Sequence, residues 1–195
     1  MHGSLTVKSW GICAVAGVLL AAASPARGHV RLDAPNGGEV LIEGSEFTIR
    51  WTILISHTLL NWDLWYGFTS NGPWTTIAVD LPPGSREVGS VHTYDWTVPD
   101  LLSTRVYVRV RMDNAATDYY DVSNAPFTVT RAGDLDADAD VDLDDWTTLS
   151  ECSNGPGEST PPEGCDQADF DNADLDGDGD VDLKDKIIFT RNFTD

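Results

Sequence analysis

Two twelve-residue stretches, Asp134 to Asp145 (DLDADADVDLDD) and Asp174 to Asp185 (DLDGDGDVDLKD), repeat one pattern at an offset of forty residues. Counted from the first Asp of each, carboxylates stand at positions 1, 3, 5, 9 and 12, and valine stands at 8. Like charges at this density repel one another, and such blocks ordinarily stay solvated and unfolded. A hard cation reverses that balance, because calcium takes oxygen donors from alternate residues of a twelve-residue loop and a backbone carbonyl from position 7. Both copies keep the same five aspartates and the inward-turning valine, and both run straight into an apolar segment, so the pattern predicts two calcium loops. Asp134, Asp136, Asp138, Asp142 and Asp145 form the first ligand set, and Asp174, Asp176, Asp178, Asp182 and Asp185 the second. The carbonyls of Asp140 and Asp180 are expected to complete the two shells. Position 12 is Asp in place of the longer Glu, so each loop must draw in closer. Position 6, where the chain reverses sharply, is glycine in the second copy (Gly179) and Ala139 in the first.

These loops, each read as followed but not preceded by a helix and placed at the C-terminal end, resemble the paired loops of a type I dockerin. The resemblance covers Gly133 to Asp195. It implies a small α-helical module that holds two calcium ions and attaches the protein to a cohesin-like or other extracellular partner. The recognition pair at positions 10 and 11 is Ser-Thr-like in the familiar type and is Leu143-Asp144 and Leu183-Lys184 here, which makes these four the expected partner-binding residues. The connector from Ser153 to Ala173 is unusually long for the family.

At the other end, Lys8, an apolar run from Trp10 to Ala23 and small residues through Gly28 form a Sec-type signal peptide over 1–28. The run is too short for a membrane anchor, and the expectation is a secreted or cell-surface protein with no membrane span. Cleavage after Ala26 would leave Arg27 first, and cleavage after Gly28 would leave His29 first. Removal of Cys13 with the signal leaves Cys152 and Cys165, which in an oxidising compartment have only each other, so a structural disulfide is predicted. The formal net charge is −20. It is concentrated in 132–195, with 20 acidic against 3 basic residues, while 29–131 carries 12 against 7. That balance argues against nucleic acid as a partner.

Residues 29–131 read as strand throughout. Phe47, Ile49, Trp51, Ile53 and Ile55 alternate, as do Leu60, Trp62, Leu64 and Tyr66, and Val106, Val108, Val110 and Met112 alternate with Arg105, Tyr107, Arg109 and Arg111. A period of two in short runs divided by Asn-Gly and Pro-Gly clusters predicts an antiparallel sandwich of seven or so strands, immunoglobulin- or fibronectin-like. The fold class expected for the whole chain is therefore mainly β: a sandwich followed by a small helical calcium module over 132–195. Pro35-Asn-Gly-Gly-Glu39, Gly44, Phe47-Thr-Ile-Arg-Trp51 and the later Asp121-Val-Ser-Asn124 resemble the N-terminal domain of the Kre9/Knh1-like family. That resemblance implies an extracellular binding module. Trp65, Tyr107 and Trp74 invite a cell-surface polysaccharide as partner, although such rings ordinarily pack on neighbouring strands or arginine stems. The three outward arginines are expected to form a solvated face.

No catalytic motif is present: no G-x-S-x-G, no HExxH and no phosphate-cradling glycine loop. Asp63, Asp95 and Asp113 could supply glycosidase carboxylates, but a bare small sandwich offers no deep cleft. The chain therefore reads as a binding or assembly protein more than an enzyme. A second reading places copper at one pole of the sandwich. In an immunoglobulin-like strand order His29, His57, His92 and Asp113 all fall at the same end, and a mature start at His29 would add a free α-amine. Amine plus imidazoles is a donor set suited to Cu(II), similar to the histidine brace of small copper carriers and polysaccharide monooxygenases.

Overall fold

The structure is a computed structural model and describes residues 28–194. The predicted signal segment, with Cys13, lies outside the described residues apart from Gly28. Nine strands precede three helices: β1 (Val30–Ala34), β2 (Val40–Ile42), β3 (Glu46–Ile53), β4 (Leu59–Gly67), β5 (Thr75–Leu81), β6 (Val91–Thr97), β7 (Ser103–Asn114), β8 (Tyr119–Val122), β9 (Phe127–Thr130), α1 (Leu143–Cys152), α2 (Gln167–Ala173) and α3 (Leu183–Asn192). The chain is mainly β, as its alternation requires, and its strands form a sandwich of two sheets. One sheet has the order β1-β3-β6. The other has the order β2-β9-β7-β4-β5, with β8 beside β7. Every pairing is antiparallel except that of β2 with β9.

The inward parity of β3 and β7 is the one the alternation predicts. Ile49, Trp51 and Ile53 join Val106, Val108, Val110 and Met112 in one buried core. Trp51 of one sheet meets Trp62 of the other edge-on at 5.5 Å, so two large rings span the sandwich where other folds of this kind use a disulfide. In β4 the parity differs from expectation at one end. Leu60 is half exposed and Leu59 is buried, because the ladder with β7 slips between Leu59 and Asn61. The extra residue is a bulge, and a bulge reverses which face the residues before it present. Ile55, expected inside, lies beyond the end of β3 and is exposed.

A second, smaller core gathers Val141 and Val181 from the two loops, Leu149 and Cys152 from α1, Phe170 and Ala173 from α2, and Phe189 from α3. The two valines at position 8 are fully buried, as predicted. Leu143 and Leu183 are not part of this core; each opens its helix and is 69% exposed. Helix α2 runs directly into the second loop, so the expectation that neither loop is preceded by a helix is corrected. Asp166 caps α2 by accepting from the Asp169 amide at 2.9 Å, and Phe170 anchors it. The predicted disulfide is formed: Cys152 at the end of α1 joins Cys165 just before α2, thirteen residues on.

The two cores abut through a short junction. Thr130, the last residue of β9, donates its hydroxyl to the Asp134 carboxylate, and Arg131 pairs with Glu43 at 2.9 Å. Asn192 of α3 donates to the Ala132 carbonyl at 2.8 Å. No helix among the described residues is long and apolar enough to cross a membrane.

Candidate metal centres

Each aspartate loop is closed around its position-12 carboxylate. In the first loop Asp145 Oδ1 accepts from the amides of Leu135 (2.6 Å) and Asp136 (3.1 Å), and Oδ2 accepts from Asp142 (2.8 Å). In the second Asp185 takes the amides of Leu175, Asp176 and Asp182 at 2.8, 3.2 and 2.7 Å. Both carboxylates are buried. Each also completes a capping box, since Asp142 and Asp182 are the N-caps of α1 and α3 and Asp145 and Asp185 are their N3 residues. One short side chain therefore closes the loop and starts the helix. This is why Asp suffices at position 12.

Around these anchors the carboxylate oxygens converge. Asp134, Asp136 and Asp145 offer oxygens within 4.8 Å of one another, and so do Asp140, Asp142 and Asp145. The second loop repeats both groups with Asp174, Asp176 and Asp185 and with Asp180, Asp182 and Asp185. Clustering of this kind suits a hard divalent cation with six to eight oxygen ligands. Asp138 and Asp178, predicted as position-5 ligands, stand outside these groups. Asp138 Oδ1 accepts the Asp140 amide at 3.1 Å, and Asp178 is held by Lys184. Asp140 and Asp180 bring carboxylates to their groups, where only their carbonyls were expected. Asp180 is buried, with Oδ2 on the Gly157 amide at 2.7 Å and Oδ1 without a partner.

The local field follows the same pairing. Desolvation first, and then the neighbouring carboxylates, push Asp136, Asp140 and Asp176 above the ordinary range. Asp178 lies below it because the Lys184 ammonium bonds to it, and Lys184 is correspondingly raised. The first loop has no such cation, since Asp144 stands at the equivalent position.

Backbone geometry separates the loops further. Positions 4 and 6 take positive φ in both: 73° and 93° at Gly177 and Gly179, 63° and 80° at Ala137 and Ala139. The left-handed region brings an L-residue's Cβ too close to its carbonyl oxygen, at a cost of about 1–2 kcal/mol per residue. The first loop carries that strain twice.

At the far pole of the sandwich, two of the four predicted copper residues come together. The His29 carbonyl accepts from the amides of Leu54 (2.9 Å) and Ile55 (3.1 Å), which pins the start of β1 to the end of β3. His57 follows a few residues later, and the two imidazoles lie 4.7 Å apart, centre to centre. Tyr119 of β8 stacks on His29 at 3.6 Å and lies 4.8 Å from His57. Burial, and then the neighbouring His57, lower the His29 pKa. His57 Nε2 is buried without a hydrogen-bond partner, so the pair has an uncommitted donor atom and fits a metal that favours imidazole.

His92 does not join them. It pairs with Trp51 across the β3–β6 ladder, and its ring packs 5.9 Å from Trp51 and 4.9 Å from Trp62. Asp113 is held in an ion-pair group in which Arg111 also binds Asp63 and Asp118. Among the described residues no group of three clustered ligand side chains includes a histidine. Sequence reasoning missed Tyr119, whose approach depends on the β7–β8 pairing.

No protein-family model matches the sequence, and no curated protein matches it either. Among solved structures, the chain is similar to an AA10 lytic polysaccharide monooxygenase from Streptomyces lividans, with 16% identity over 46% of this chain and 59% of that one and a TM-score of 0.33. It is similar to the catalytic domain of a lytic polysaccharide monooxygenase from Listeria monocytogenes, with 14% identity over 47% and 60% and a TM-score of 0.35. An Fn3-like protein from Clostridium thermocellum gives 14% identity over 54% and 90%, with a TM-score of 0.27. The chain thus spans about three-fifths of the length of the monooxygenases it matches. At TM-scores this low the likeness carries neither an activity nor a ligand to this chain.

Proposed function

We propose that this chain is an exported, non-catalytic binding and assembly protein. Its C-terminal pair of calcium loops serves as a dockerin-like attachment module, and its sandwich serves as the recognition domain. The observation that supports this best is the duplicated closure of both loops. In each, a buried position-12 aspartate gathers two carboxylate groups of three and caps the following helix. Each loop would hold one calcium ion, through Asp134, Asp136, Asp138, Asp142 and Asp145 with the Asp140 carbonyl in the first, and through Asp174, Asp176, Asp178, Asp182 and Asp185 with the Asp180 carbonyl in the second. Leu143, Asp144, Leu183 and Lys184 are exposed at equivalent positions of α1 and α3, which suits a surface for a cohesin-like or other extracellular protein. Isothermal titration of the metal-stripped chain with calcium is expected to give two ions per chain, and Asp185→Asn to leave one. A chain that takes up no calcium, or whose fold is indifferent to EDTA, removes the reading. Attachment is checked by a calcium-dependent pull-down, with Leu143→Ala/Leu183→Ala expected to release the partner.

A second reading, copper binding at the sandwich pole, is favoured by the His29–His57 pair beneath Tyr119. His29 and His57 would hold the ion, together with the α-amine of His29 in a chain that begins there. Bound copper would supply one-electron chemistry at an exposed edge of the domain. N-terminal sequencing and Cu(II) EPR of the exported protein test it. A nitrogen-rich signal lost in His57→Ala supports copper, and a mature start at Arg27 or an unchanged signal in the variant ends it.

A further inference from the structure

On the outer face of the larger sheet, three aromatic rings enclose a single cation. The Arg109 guanidinium of β7 lies 4.6 Å from the Trp65 ring, 4.6 Å from the Trp74 ring and 5.2 Å from the Tyr120 ring. Trp65 is its direct neighbour on β4, and Tyr120 stands on β8 on the other side. Trp74 is placed by two glycines. A Cβ built on Gly72 would lie 2.6 Å from its ring, and one on Gly67 would lie 3.1 Å from it. The cage is thus built from three separate elements.

A guanidinium clamped in this way has lost its conformational freedom but kept its charge. Arg111, two residues on, is neutralised by Asp63, Asp113 and Asp118, whereas Arg109 has no carboxylate partner among the described residues and its Nε has no acceptor. Arg105, on the same face of β7, is exposed and likewise forms no ion pair among the described residues. The two cations are four residues apart on one strand, about 13 Å at the usual rise, with Tyr107 between them. In a chain of net charge −20, this strip holds positive charge with nothing to offset it.

We propose that this strip binds an acidic polysaccharide, one whose sugars carry carboxylates. Two separated cations on a flat sheet face suit repeated carboxylates along an extended polymer, where a small anion would reach one of them. The guanidinium fork donates two hydrogen bonds to a carboxylate and is already ordered, so little freedom is lost on binding. Tyr120, 47% exposed, and the half-buried Tyr107 offer ring faces to the apolar faces of the sugars. The chain as a whole carries a net charge of −20, which disfavours polyanions, and the attraction of this strip for them weakens as salt rises.

The test is isothermal titration of the calcium-loaded full chain, freed of excess calcium, with hexagalacturonate and with cellohexaose. Saturable binding of the uronate and none of the neutral sugar is expected. Arg105→Gln and Tyr120→Ala, both at exposed positions, are each expected to weaken binding about tenfold, and Arg109→Gln to abolish it. Far-UV circular dichroism reports whether Arg109→Gln still folds; the two exposed variants decide the matter by themselves if it does not. The calcium module is identical in all four proteins, so uptake of uronate by calcium bridging would be undiminished in the variants. That result, equal binding of cellohexaose, or no binding of hexagalacturonate overturns the proposal and leaves the cage as a brace for the sheet.

Discussion

Ala139 and Gly179 occupy the same turn of two otherwise matching loops, with φ of 80° and 93°. Relieving one strained residue returns about 1 kcal/mol to the bound form, or roughly fivefold in affinity. Ala139→Gly is therefore expected to tighten the weaker calcium step by about that factor, and Gly179→Ala to loosen the stronger one. Stepwise titration constants of the two variants check it. His92 makes a different prediction. Burial lowers its pKa from 6.5, partly opposed by a hydrogen bond that the ring donates to the Ser85 backbone. A base whose folded pKa is depressed is held neutral, so its contribution is intact above the unfolded value and is lost as pH falls through the folded one. Stability of the sandwich is expected to fall below about pH 6.5, and His92→Phe to flatten that part of the profile in urea titrations at pH 7 and 5.

At the scale of elements, α2 and the bulge in β4 were the parts least legible in advance. The connector before the second loop is rich in Gly, Pro and acidic residues, and its one helix is seven residues long. A helix that short owes its stability to tertiary packing and not to its own propensity, and Phe170 supplies that packing from 3% exposure. Phe170→Ala is expected to cost about 3 kcal/mol and to lower the calcium affinity of the adjoining loop, measured by denaturation with and without the ion. The disulfide between α1 and α2 constrains the unfolded chain. Cys152→Ser/Cys165→Ser is expected to lose about 3 kcal/mol, read as a lower melting temperature of the module. The bulge was illegible for another reason. Leu59 and Leu60 are both leucine, and only the slip against β7 decides which of them enters the core.

At the scale of the whole molecule, the two cores meet at Thr130 and Asp134, where a sandwich hydroxyl holds a carboxylate of the first aspartate loop. If the loops hold calcium as proposed, its removal would leave that carboxylate among its like-charged neighbours, so stripping the ion is expected to loosen the small core first, with the sandwich melting later. Differential scanning calorimetry with EDTA should separate the two transitions. The loops were legible from the sequence because twelve consecutive residues contain every carboxylate, the turn and the cap. The sandwich was legible because alternation in β3 and β7 records which side faces inward. What joins distant segments was decided only in the tertiary structure. His29 meets His57 and Tyr119, while His92, at the same end of the strand order, turns inward because its register with Trp51 points it there. Arg109 sits in its cage because β4, β7, β8 and the turn before β5 converge on it, and no local pattern encodes a position set by three strands and a turn at once.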